Sequence, residues 1–100
     1  LEPDEASTYF ERAGCYFDLR KYDQAILDYK KCLALNEKYA GPVNYSLGCT
    51  EALLDHTDNA LSYLELAVKA GYKDKAEYLN SPNLVKLKDS PRFKELVSGL

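Results

Sequence analysis

Short apolar stripes alternate with brief polar breaks along this chain, and the stripes recur at helical rather than strand spacing. Residues 6–19 place Tyr9, Ala13 and Tyr16 on one helical face, with Leu19 at its end. Arg20 and Lys21 form a polar turn. Residues 22–35 carry a second stripe of Tyr22, Ala25, Ile26, Tyr29, Cys32 and Leu33. Asn36 to Gly41 interrupts the pattern, a third helix is predicted over 43–54, and a turn over Asp55 to Asp58. A fourth helix is predicted over 58–70. Gly71 would end it in the left-handed conformation that glycine adopts without a Cβ clash. Beyond it, Ser81-Pro82 and Ser90-Pro91 each open a short helix, over 81–87 and 90–97. The serine can accept from free N–H groups of the first turn, and proline has no N–H to leave unsatisfied. Strand signals are nearly absent, so the fold class is all-α.

The chain also repeats itself. At a shift of 35, Ala25 falls on Ala60, Ile26 on Leu61, Tyr29 on Leu64, Cys32 on Ala67 and Leu33 on Val68. Ala13 falls on Gly48 and Leu19 on Leu54. Small residues held at these positions mark helix crossings, because packed helix axes approach to ~8–10 Å and bulk there is not tolerated.

Self-similarity at this period is the mark of a stacked helical hairpin. The run YDQAILDYKKCLAL, with Tyr9, Ala13 and Tyr16 before it, resembles the tetratricopeptide repeat. In that family a large, a small and an aromatic residue mark the first helix; an aromatic, a small, an aromatic and a small mark the second. The second unit supplies Leu47, Gly48, Ala60, Leu64 and Ala67, and departs at Asn44, Glu51 and Thr57. The family period is about 34, which implies one extra linker residue near Gly41-Pro42. The resemblance implies a helix-hairpin solenoid of two repeats with short capping helices. Residues 1–5 would be the tail of a preceding repeat or a linker, with Pro3 as a helix-ending proline. Residues 6–39 would be the first repeat, 40–72 the second, and 73–100 a truncated third unit and cap. The last segment, with its Pro-Arg-Phe helix, resembles the tail that closes bacterial proteins of this kind. A solenoid exposes an apolar end face that must be covered; Leu79, Leu84, Leu87, Phe93, Leu96 and Val97 are the candidates.

The same resemblance implies a protein- or peptide-binding scaffold with a concave groove formed by the first helices of the hairpins. Carried over residue by residue, the groove comprises Phe10, Gly14, Phe17 and Asp18 from the first unit, and Tyr45, Cys49, Ala52 and Leu53 from the second. The Lys, Asn and Arg clamp by which one branch of the family holds chaperone carboxylates has no counterpart at Phe10, Gly14 or Ser46. The expected partner is therefore an apolar or helical segment. Two alternatives stand beside this reading: a self-association module giving a homo-oligomer through the open N-terminal end face, and a non-catalytic regulatory tail of a larger enzyme or sensor.

Composition narrows the picture. A net charge of -3 argues against a general nucleic-acid binder. No apolar run reaches the ~18 residues of a membrane span. The charge is uneven: residues 1–68 hold 6 Lys/Arg and 12 Asp/Glu (6 - 12 = -6), and residues 69–100 hold 7 and 4 (7 - 4 = +3). An acidic body with a basic tail could steer a partner. Cys15, Cys32 and Cys49 have neither disulfide nor zinc spacing and are expected to be reduced, mostly buried thiols of a cytoplasmic protein, with Cys49 more reactive than Cys32. His56, the single histidine, lies in the turn LDHTD with no cysteine near it in sequence, so a Cys–His pair is not expected. Asp55 and Asp58 are read as caps of the fourth helix. The Asn44-Tyr45-Ser46 acceptor pattern falls within a predicted helix and is taken as chance. No phosphate loop, catalytic constellation, metal site or cofactor is expected.

Overall fold

The computed structural model describes residues 4–100, so the reading of residues 1–3, Pro3 among them, lies outside the described residues. Helices α1 (Glu5–Asp18) and α2 (Tyr22–Leu35) form one antiparallel hairpin, and α3 (Ala40–Leu53) and α4 (Thr57–Lys69) a second. A 3-10 turn, Glu37–Tyr39, joins them. The C-terminal segment folds into α5 (Lys75–Asn80), a 3-10 helix (Pro82–Leu87) and α6 (Pro91–Ser98). The described residues contain no strand. The molecule is elongated, 42 × 26 × 19 Å, as expected when hairpins stack along one direction.

Local chemistry accounts for the ends of most elements. Asp4 accepts from the Ser7 N–H at 2.6 Å and caps α1. Ser81 accepts from the Asn83 N–H and Ser90 from the Phe93 N–H, as their Ser-Pro pairs predict. Helix α1 closes with Lys21 N–H donating to Tyr16 C=O at 2.8 Å and Arg20 N–H to Phe17 C=O at 2.9 Å. The same pair recurs 35 residues on, from His56 to Glu51 and from Asp55 to Ala52. It recurs again after α4, from Tyr72 to Ala67 and from Gly71 to Val68. Each closure needs one left-handed residue, here Arg20 (φ 62°), Asp55 (φ 65°) and Gly71 (φ 101°). Gly71 meets the expectation.

Asp55 does not cap α4. It is the left-handed residue that ends α3, and α4 begins at Thr57 after His56 with no side-chain cap; Asp58 lies in its first turn. Gly41 and Pro42 lie inside the first turn of α3 rather than in a linker, because proline costs little where the N–H has no intrahelical partner.

The buried side chains form two apolar cores. The first joins Ala6, Ala13, Ala25, Tyr29 and Cys32 of the first hairpin to Val43 and Leu47 of α3. The second joins Cys49, Ala52, Ala60, Leu61 and Leu64 to Tyr78, Leu84, Leu87, Phe93 and Val97 of the C-terminal segment. Helix α3 thus has neighbours on several sides, and this explains its departures from an apolar stripe. Asn44, Thr50 and Glu51 are buried with it. Thr50 donates to the Ser46 carbonyl at 2.7 Å, and Glu51 accepts from Asn59 Nδ2 at 3.0 Å with His56 Nδ1 at 3.4 Å. Buried Asn44 is no glycan acceptor in the folded chain. Among the cap candidates, Leu84, Leu87, Phe93 and Val97 are buried and Leu96 is half-buried, whereas Leu79 is 40 % exposed. Tyr78, beside it, takes the core position.

Two cations of the basic tail pair with the acidic body. Arg92 clasps Glu65 through two bonds of 3.0 and 2.7 Å and donates to Ser62, tying α6 to α4; its hydrogen bonds hold the Glu65 carboxyl below the usual range. Lys86 pairs with Asp55 at 2.6 Å. Within the first hairpin, Arg12 of α1 holds the buried Asp28 of α2 by bonds of 2.6 and 2.8 Å and lies over the rings of Tyr9 and Tyr16. No sequence pattern pointed to that pair.

Candidate functional site

The region where α1 faces α3 is built from their middle and last turns. Gly14, Phe17 and Asp18 of α1, Tyr29 of α2, and Tyr45, Ser46 and Cys49 of α3 surround a cavity of about 260 Å³. Asn83, from the C-terminal 3-10 helix, closes one side of it. Gly14 has nothing within 4 Å of where a Cβ would project, so the cavity reaches the helix backbone there.

Five of the eight residues assigned to a groove are therefore brought together: Gly14, Phe17, Asp18, Tyr45 and Cys49. Phe10 is half-buried and packs against Tyr29 (5.8 Å between centroids) and Tyr39 (5.6 Å). Ala52 is buried in the second core, and Leu53 is half-buried outside the cavity. The aromatic rings are not free-standing. Phe17 packs edge-on to Tyr22 at 5.5 Å, and Tyr45 lies 4.8 Å from Tyr72 and 5.1 Å from Tyr78. The Tyr45 hydroxyl donates to the Glu77 carbonyl at 2.8 Å, that of Tyr78 to the Tyr72 carbonyl at 2.6 Å, and that of Tyr72 to the Glu77 carboxylate. Desolvation pushes all three phenols above their ordinary value. This tyrosine cluster ties α3 to α5.

Ser46, one of the clamp positions, also lines the cavity, and Tyr29 and Asn83, which the repeat register did not assign to it, complete it. A usable signal for α5 was present: Asp74 followed by Glu77 is a helix-start pattern, and Asp74 does accept from the Ala76 N–H.

The thiols divide differently from expectation. Cys15 is exposed, while Cys32 and Cys49 are both buried, Cys49 to 4 % exposure against the C-terminal segment. Burial pushes the Cys49 thiol up to about 11 and raises that of Cys32. Since the thiolate is the reactive form, native labelling with a maleimide should modify Cys15 rapidly and leave Cys32 and Cys49 unmodified until the chain unfolds. Rapid labelling of a second thiol, located by peptide mapping, would contradict this packing.

Among the described residues no group of three or more His, Cys, Asp or Glu is placed to hold a metal ion, and no helix is long and apolar enough to cross a membrane. His56 is exposed and lies beside Glu51, not a cysteine.

Residues 6–39 match the family model of the tetratricopeptide repeat. Comparisons with curated proteins and with solved structures returned no match. The matched segment spans α1, α2 and the 3-10 turn, the part of the chain that carries the Tyr, Ala, Tyr, Cys run. A tetratricopeptide repeat in an all-helical chain supports a general role in protein–protein interaction.

Proposed function

We propose that the chain is a protein-binding scaffold module whose site is the cavity between α1 and α3, taking an apolar or helical segment of a partner. The observation that carries this reading is the gathering of Gly14, Phe17 and Asp18, from the segment that matches the repeat family, with Tyr45 and Cys49 of α3 around one cavity. Aromatic side chains bury large area at small rotamer cost, so a site lined by Phe17, Tyr29 and Tyr45 suits an apolar anchor. The C-terminal segment serves twice in this reading, as the cover of the last hairpin and as the wall that Asn83 contributes. With so short a groove, affinity should be on the order of micromolar, well below that of large preorganised interfaces. Three unbridged cysteines accord with a cytoplasmic setting.

Phe17 and Tyr45 are poor probes, since both rings also pack within the fold. Gly14 is the better one: a Cβ added there meets nothing within 4 Å, and the residue lines the site. Peptides selected from a random phage-displayed library against the native chain should be enriched in apolar residues. Gly14→Leu should abolish their binding while leaving circular dichroism and the thermal melt intact. Undiminished binding by a folded Gly14→Leu variant would move the site elsewhere.

A further inference from the structure

The basic tail is not wholly consumed by its contacts with the body. Lys86 and Arg92 are paired, but Lys75, Lys88 and Lys94 have no ion-pair partner among the described residues. These three line one cleft of about 380 Å³ between α5 and α6, together with Leu79, Phe93 and Val97; no carboxylate lines it. Leu79 is the side chain that the core left out, 40 % exposed beside fully buried Tyr78. The cleft thus combines an apolar surface at Leu79, backed by the edges of the otherwise buried Phe93 and Val97, with three ammonium groups that no ion pair among the described residues engages.

We propose that this cleft is a second binding site, which seats an apolar side chain of an acidic partner segment against Leu79, where Phe93 and Val97 edge the cleft, and pairs flanking carboxylates with Lys75, Lys88 and Lys94. Charge complementarity favours this occupant. Three cations spread around the rim call for several carboxylates, which a peptide carries on successive residues and a single lipid headgroup does not. The exposed floor at Leu79 would also leave much of an acyl chain in water, whereas it suits one leucine or phenylalanine side chain. Long-range attraction between the basic rim and an acidic segment would speed encounter and weaken with salt. The site is separate from the α1–α3 cavity and does not depend on it.

The test uses the whole chain and a labelled octapeptide, Asp-Glu-Leu-Glu-Phe-Glu-Asp-Glu, followed by fluorescence anisotropy at low and at physiological salt. Binding should weaken as salt rises. It should fall roughly tenfold when the peptide acids become amides, and by a similar factor in the combined variant Lys75→Gln, Lys88→Gln, Lys94→Gln. All three lysines are exposed, so the variant should melt like the parent. Leu79→Ser, which keeps every charge, should also weaken binding several-fold, and Gly14→Leu should leave it unchanged. Equal binding of the amide peptide, or of the triple variant, would overturn the proposal. Loss with Gly14→Leu would assign the peptide to the other cavity. Unchanged binding by Leu79→Ser would reduce the effect to diffuse charge attraction and likewise overturn it. Binding to phosphatidylserine vesicles that outcompetes the peptide would transfer the cleft to a lipid surface. A dimer in light scattering that the triple variant dissolves would transfer it to the acidic body of a second copy.

Discussion

Phe93→Ala will lower the stability of the chain by roughly 3–5 kcal/mol, the cost of deleting a fully buried phenylalanine. The ring is 2 % exposed and shares a core with Leu61, Leu64, Leu84 and Val97. Its position is fixed from two directions. Ser90 accepts from the Phe93 N–H at the start of α6, and the neighbouring Arg92 grips Glu65 and Ser62 of α4. A short helix of this kind, Pro91–Ser98, has little stability of its own. Docking through Phe93 and Val97 is what holds it. The measurement is the urea midpoint and slope of the variant against the parent. A midpoint unchanged within error would mean that α6 does not pack on α4. A reduced slope with the loss would show the C-terminal segment detaching ahead of the rest.

The same small substitution, glycine to alanine, should have opposite effects at two sites one helix apart. At Gly48 an added Cβ would lie 2.6 Å from Leu64 Cδ2, 2.8 Å from Leu64 Cγ and 3.2 Å from the Ala60 carbonyl oxygen. Leu64 is itself fully buried, and the Ala60 carbonyl belongs to the α4 backbone, so neither yields easily. Gly48→Ala should therefore destabilise by roughly 1–3 kcal/mol through overpacking, despite the better helix propensity of alanine. At Gly14 the added methyl meets nothing within 4 Å. Gly14→Ala should stabilise by up to about 1 kcal/mol, the propensity gain alone. Thermal melts of the two variants decide the matter. A stabilising Gly48→Ala would place the α3–α4 crossing elsewhere, and a strongly destabilising Gly14→Ala would mean that the cavity beside it is filled.

Features that are local or periodic were legible in the order of residues. The spacing of Tyr22, Ala25, Tyr29 and Cys32 specified a helix and the face that would be buried; Ala25 and Cys32 are fully buried as that spacing requires. The Ser-Pro pairs and Gly71 marked ends through hydrogen bonds and φ preferences that act within a few residues. The shift of 35 tied the two hairpins together, and Gly14, Phe17, Asp18, Tyr45 and Cys49 followed from their place in that repeat. Tertiary structure decided which of those positions stay accessible. Ala52 and Cys49 belong to the groove face by register, yet the C-terminal segment, some thirty residues further along, packs over them. Periodicity carries no information about a cover supplied from so far away. The same reason explains Asn44 and Glu51, polar residues buried because α3 is flanked on several sides. It also explains Tyr78 in the place expected of Leu79: six residues of helix are too few for a stripe to define a face, so α5 is oriented by the docking of Tyr78 on Tyr45 and Tyr72.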